Sequence, residues 1–200
     1  MKTIIIISFA LFIIFFVLQS FTRMSVNKTE EQKYTVVYKD KEFEIRFYPA
    51  AIFASITSDA KTYKELANPG FRMLAGYIFG GNENETKISM TTPVHMDISD
   101  SASTMSFVMP SSYKETSLPK PNDPNVKIVR TADEYVAAIQ FGGFASDKDI
   151  QFYSGKLQKL LEAKSITSYG HYRFLGYNPP FQVIGRRNEI IVSVNWTQSK

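Results

Sequence analysis

The chain has 200 residues, of which 44% are hydrophobic, 21% charged and 14% aromatic, a globular composition that excludes a largely disordered, collagen-like or coiled-coil protein and suits one medium-sized domain. Cysteine is absent, which excludes disulfides, a thiolate nucleophile, a lipoprotein cysteine and cysteine ligation of a metal. The formal charge is +4, and setting aside residues 1–22, whose only charge is Lys2, leaves 22 basic against 19 acidic residues; the basic residues are scattered, so no nucleic-acid partner is expected.

Behind Lys2, residues 4–18 (IIIISFALFIIFFVL) form an uncharged run. As a helix it spans about 22 Å, short of a hydrocarbon core of about 30 Å. The basic start, the apolar stretch and the small Ser20 and Thr22 resemble a signal peptide without an Ala-x-Ala site, and an uncleaved membrane anchor is the alternative. A helix apolar on every side at a chain end does not suit a buried core element. Residues 1–22 are therefore expected to export or anchor the protein, whether periplasmic, extracellular or membrane-held, with residues 23–33 as a polar linker and residues 34–200 as the domain.

From Tyr34 onward, strand-like runs alternate with two helical segments. The first strands are YTVVY (34–38), FEIRFYP (43–49) and AIFASIT (51–57). Residues 60–79 read as a helix, interrupted at Asn68-Pro69-Gly70 and ended by Gly80-Gly81-Asn82, where glycine can take the left-handed cap conformation. KISMTTPVHMDI (87–98) reads as one half-buried strand, with Ile88, Met90, Thr92, Val94, Met96 and Ile98 on one face and Lys87, Ser89, Thr91, His95 and Asp97 on the other; Pro93 points to an edge or a bulge. TMSFVMP (104–110) follows, then a proline-punctuated loop at 111–125. The second half repeats the order: strands VKIVR (126–130) and EYVAAIQF (134–141), a helix at 146–164 opened by Ser146 with Asp149 three residues on, and strands HYRFLGY (171–177) and EIIVSVNW (189–196). Two strand-helix-strand-strand halves imply an α+β fold, a pseudo-twofold domain with a curved antiparallel sheet and one helix per half.

Little in the sequence points to catalysis. His95 shares its strand face with Lys87 and Asp97 and reads as an ordinary solvent-facing histidine, and His171 follows Gly170 as a turn residue. No second histidine or carboxylate stands at metal-ligand spacing. There is no Gly-x-Ser-x-Gly elbow, and neither glycine pair matches a phosphate-binding loop. No catalytic residue is assigned and no enzymatic activity is expected. More informative is the first helix, where Leu66, Gly70, Met73 and Tyr77 form one apolar stripe and Ala67, Phe71, Leu74 and Ile78 another. Together they exceed the stripe of about 100° that one-sided packing needs. Either one stripe lines a groove, or both are buried, one on the sheet and one under a loop. Tyr177, Pro179, Pro180 and Phe181, followed by Arg186-Arg187, form a second apolar surface with a basic rim, suited to a flat apolar ligand bearing carboxylates; a plain solvated arginine pair is the alternative.

The ordered set FRMLAGYIFGGN (71–82), KISMTTPV (87–94), FVMP (107–110), IQFGGFAS (139–146), GYNPPF (176–181) and GRRNEI (185–190) resembles the SOUL, or haem-binding-protein, family. The resemblance spans nearly all of residues 34–196. It implies a pseudo-symmetric distorted β-barrel with two helices, and non-covalent binding of haem or another tetrapyrrole in a shallow apolar groove between the first helix and the loop before the last strand. Carried onto this chain, the groove involves Met73 and Tyr77 on the helix and Tyr177, Pro179, Pro180 and Phe181 on the loop, with Arg186 and Arg187 at its rim. Some relatives are thought to use a histidine near the first strands as an axial ligand, and residues 34–57 contain none. Iron ligation would then fall to Tyr77, Tyr177, Met73, His95 or His171, or to no protein group. The expected function is a haem carrier or buffer outside the cytoplasm; the alternative is an envelope interaction protein whose groove takes a peptide, a lipid or a membrane surface.

Overall fold

Period-two patterning builds most of the structure, a computed structural model that describes residues 7, 11–14, 19 and 29–197. The expected signal or anchor segment and residues 23–28 of the expected linker otherwise lie outside the described residues. In chain order the elements are β1 (Glu30–Glu31), β2 (Thr35–Lys39), β3 (Glu44–Tyr48), β4 (Ile52–Ser58), α1 (Tyr63–Ile78), β5 (Thr91–Thr92), β6 (Val94–Asp97), β7 (Ser103–Val108), β8 (Lys127–Arg130), β9 (Glu134–Phe141), α2 (Asp147–Ala163), β10 (Ser168–Gly176) and β11 (Asn188–Val194). Nine strands join in one curled antiparallel sheet ordered β2-β3-β9-β11-β10-β6-β7-β4-β8.

That order has an internal symmetry about the β6–β10 contact. The units β4-α1-β6-β7 and β9-α2-β10-β11 lie on either side of it, which is the expected pair of strand-helix-strand-strand halves. The strand that precedes each unit crosses to the other, β3 pairing with β9 and β8 with β4. This exchange ties the halves together at both ends of the sheet, so neither half can form its full ladder alone.

Alternation assigns the two faces. Ile45, Ala54, Ile56, Met96, Met105, Phe107, Ala137, Ile139, Phe174, Ile190 and Val192 point inward under the helices and form the main core. Helix α1 lies on β4 and β7, and α2 on β9, β10 and β11. The opposite face holds a second, smaller cluster of Tyr48, Val136, Ala138, Leu175, Tyr177 and Ile191.

Helix α1 runs unbroken through Pro69, where an interruption was expected. Pro69 is solvent-exposed, so its ring displaces no packed neighbour, and its cost stays within the helix as one lost hydrogen bond and crowding against the carbonyl one turn back. Gly70 serves packing instead: a Cβ there would come within 3.1 Å of Met105 Cε and 3.3 Å of Ile56 Cδ1, so the bare backbone lets the helix sit close on the sheet. The helix ends at Gly80, whose φ of 113° favours glycine. Helix α2 has its capping box, with Ser146 Oγ accepting from the Asp149 N–H and the Ser146 N–H donating to the Asp149 carboxylate.

The expected strand at 87–98 is divided into β5 and β6 at Pro93. Strand β5 pairs in parallel with β1, so Glu30 and Glu31, expected in the linker, belong to the folded unit.

Candidate functional site

A buried ionic network occupies the outer face of the sheet. Glu189, wholly buried on β11, accepts two hydrogen bonds from Arg46 (2.7 and 3.2 Å), further bonds from the Arg187 guanidinium (2.9 and 3.0 Å) and one from the Tyr177 hydroxyl (2.8 Å). Arg46 lies 4.3 Å from the centroid of the Tyr34 ring, and Arg187 lies 3.8 Å from that of Tyr177. Burial lowers the affinity of Arg46 for its proton, but the Glu189 carboxylate outweighs it and holds the guanidinium firmly charged. Burial and the Glu189 charge push the Tyr177 phenol well above its ordinary range.

Arg186, next in sequence, is differently placed. Its guanidinium donates to the carbonyls of Pro179 (2.7 Å), Gln182 (2.7 Å) and Asn178 (3.4 Å), so the loop between β10 and β11 wraps around it. Phe144, 57% exposed, stacks on it at 4.4 Å. Burial lowers its pKa from the ordinary value. Among the described residues its hydrogen-bond acceptors are carbonyls rather than carboxylates, and its Nε is buried without a partner. The same loop exposes the apolar side chains of Phe181 (66%), Val183 and Ile184. Tyr63, at the start of α1, lies within electrostatic reach of Arg186, and its backbone N–H donates to Asp147 at the start of α2. The starts of the two helices are thus bonded to each other, with Tyr63 of α1 the one that acts on Arg186.

The residues expected in one groove are distributed over three environments. Pro179, Pro180, Phe181 and Arg186 are together in the β10–β11 loop. Tyr177 and Arg187 flank that loop but turn to the outer face and are consumed by Glu189; Arg187 also bonds Glu31 at 2.8 Å. Met73 and Tyr77 lie further along α1, about 15 and 21 Å along the helix axis from Tyr63 at 1.5 Å per residue. Met73 is half-buried against the main core. Tyr77 is 2% exposed, its hydroxyl donates to the Pro119 carbonyl at 2.9 Å, and burial pushes its pKa up to about 12. Both apolar stripes of α1 are largely buried, with Phe71 remaining 39% exposed beside Phe107. Phe144 was not among the expected groove residues, although it stands within the IQFGGFAS string (139–146) as the aromatic after Gly142-Gly143.

The solvent-facing reading of His95 is corrected. The ring is on the outer face as expected but only 8% exposed, set edge-on to Phe53 at 5.1 Å and hydrogen-bonded through Nε2 to the Gln32 side chain at 2.7 Å. Burial, with the charge of Arg173, lowers its pKa to about 3. His171 is exposed and pairs with Asp97 at 3.2 Å. No group of three or more His, Asp or Glu side chains is arranged to hold a metal ion among the described residues.

The fold is a pseudo-twofold α+β half-barrel shared with solved structures: the C-terminal domain of EcmrR (TM-score 0.59, 10% identity, 82% of this chain and 99% of that one) and a hydrolase from Listeria innocua (TM-score 0.55, 10% identity, 78% and 93%). At that identity the likeness is one of fold alone. Sequence is more specific: residues 29–193 match the model of the SOUL heme-binding protein family, and the chain belongs to that family. Its relatives include Heme-binding protein 2 of Mus musculus, 31% identical over 156 residues (74% of this chain, 76% of the relative), and Heme-binding protein 1 of Xenopus laevis, 28% identical over 155 residues (74% and 81%).

Proposed function

We propose that the protein binds haem or a related tetrapyrrole non-covalently and acts as a carrier or buffer rather than an enzyme, held at or beyond a membrane by its N-terminal segment. Family membership and the names of the relatives support the ligand. The single observation that carries the site is Arg186, a half-buried cation set between the exposed Phe144 ring and the apolar loop, with no carboxylate bonded to it among the described residues. Bound haem would supply a flat apolar face and carboxylates. Phe144, Pro179, Pro180 and Phe181 would meet the face, and Arg186 would meet a carboxylate in a charge-assisted hydrogen bond. The residues present fit such a ligand at that place.

The candidates for iron ligation offer little. Tyr77 and Tyr177 hold buried hydroxyls already bonded, and His95 is enclosed on the opposite side of the sheet from α1. Binding here rests on apolar contact and charge rather than on a histidine ligand. Absorbance titration of the untagged protein should give saturable binding near one equivalent, with a shifted Soret band. Arg186→Ala should weaken binding by tenfold or more, since a hydrogen bond to a charged group contributes about 1.5–3 kcal/mol, while His95→Gln and His171→Gln leave the band in place. A Soret band that moves in a histidine variant would relocate the site. Absence of saturable binding by haem and iron-free porphyrin alike would favour the second reading, an envelope interaction protein, whose support is the exposed Phe181, Val183 and Ile184.

A further inference from the structure

The apolar tip of the β10–β11 loop is joined to the N-terminal segment by a two-point clamp. The Gln19 carboxamide donates from Nε2 to the Phe181 carbonyl (3.2 Å) and accepts at Oε1 from the Val183 N–H (2.9 Å). A side-chain amide that satisfies the carbonyl and the N–H of alternate residues reproduces the pairing of a neighbouring strand. It fixes the height of the loop relative to the chain at Gln19. That residue immediately follows the uncharged run 4–18, and the described residues of the run are helical, with Ile7, Leu11, Ile13 and Ile14 between 47% and 62% exposed.

The loop presents Phe181, Val183 and Ile184 at 66%, 48% and 44% exposure, while the intervening Gln182 is buried and ties the loop together through the carbonyls of Ile184 and Gly185. Isolated exposed apolar side chains are ordinary, but a cluster beside an apolar anchor marks a surface to be covered. The loop wraps Arg186, which stacks on Phe144, and an arginine suits the boundary between lipid and water because its stem is apolar and its head charged.

From these observations we infer that the β10–β11 loop is a second membrane contact: Gln19 holds Phe181, Val183 and Ile184 at the level where the N-terminal segment leaves the bilayer, so the Arg186 site opens toward the lipid surface. A flat apolar ligand dissolved in the bilayer would then reach Arg186 without crossing open water. The inference rests on the membrane-held reading proposed above, and adds to it a specific face, a specific depth and a route for the ligand.

The absence of cysteine makes the test direct. Val183→Cys and Ile184→Cys, labelled with an environment-sensitive fluorophore in the full chain, are compared in phosphatidylcholine–phosphatidylglycerol vesicles carrying nitroxide-labelled lipid. The reference is Val129→Cys, a valine of similar exposure (44%) on edge strand β8, four strands from β10. Labels at 183 and 184 should shift to the blue and be quenched several-fold more than the label at 129. Adding Gln19→Ala should abolish that excess while the protein still floats with the vesicles. Equal quenching at all three positions in floating protein overturns the inference and leaves the anchor and haem readings standing. Failure to float overturns the anchor reading and the inference together, and haem titration in detergent reports on ligand binding independently of both.

Discussion

Two adjacent arginines show what residue type alone leaves open. Arg186 and Arg187 are neighbours just ahead of β11, yet one turns into the loop and the other to the outer face of the sheet. Arg187 meets Glu189 and Glu31, whereas Arg186 meets carbonyls and an aromatic ring. The rim expected from an Arg-Arg pair therefore reduces to a single cation. The sequence also gave no means to see that Tyr177 would be spent on a carboxylate, because Glu189 follows it by 12 residues across a reversing loop. Glu189 is the residue on which the outer face depends. Replacing it with alanine leaves Arg46 buried without its main counter-charge and the Tyr177 hydroxyl without an acceptor. Removal of one partner from a buried ion pair typically costs about 3–5 kcal/mol, a large part of a stability of about 5–15 kcal/mol. Urea denaturation of Glu189→Ala should show a loss of that size, against about 1.5–3 kcal/mol for Tyr177→Phe, which removes a single hydrogen bond to the charged carboxylate.

At the scale of elements, local signals suffice where the structure they specify is itself local. The Ser146–Asp149 cap marks the start of α2, and alternating residues assign the faces of β6 without reference to a partner strand. Misreadings fell where a local signal had a tertiary use. Asn68-Pro69-Gly70 reads as a break, yet Pro69 faces solvent and Gly70 faces Met105 and Ile56, so the same residues allow close helix-on-sheet packing. Glycines elsewhere differ in the same way. Gly81 donates its N–H to the Gly76 carbonyl at 2.8 Å, and a Cβ on it would lie 2.6 Å from that oxygen, a backbone atom that cannot swing aside. Gly155, inside α2, has no atom within 4 Å of its missing Cβ. Gly81→Ala should therefore destabilise by about 1–3 kcal/mol through forced displacement. Gly155→Ala should stabilise by about 0.4–1 kcal/mol by reducing the entropy of the unfolded chain. Paired melting curves of the two variants check both signs.

On the scale of the whole molecule, the outer face is closed by a strap that sequence distance conceals. Residues 30–34 return along β5 and lay Glu31 on Arg187, Gln32 on His95 and Tyr34 on Tyr48 and Arg46. Nothing local in a polar stretch announces a contact made 63 residues away, so His95 looks exposed from its own strand alone. The enclosure has a thermodynamic consequence. Burial, with the Arg173 charge, lowers the folded-state pKa of His95 to about 3, against about 6.5 in an unfolded chain. Between those values the unfolded chain carries a proton that the folded one refuses. This contribution to stability is therefore complete at neutral pH and is lost as pH falls below about 6.5, by about 1.4 kcal/mol per unit. His95→Gln should remove that slope from the pH dependence of urea unfolding between pH 6 and 4. Gln32→Ala should act differently: by opening the strap to water it should raise the His95 pKa, visible in the NMR titration of a chain with two histidines, and shorten the window from its acid end. A slope unchanged in His95→Gln would place the acid sensitivity elsewhere, and an unmoved titration in Gln32→Ala would show that the strap does not close over the ring in solution.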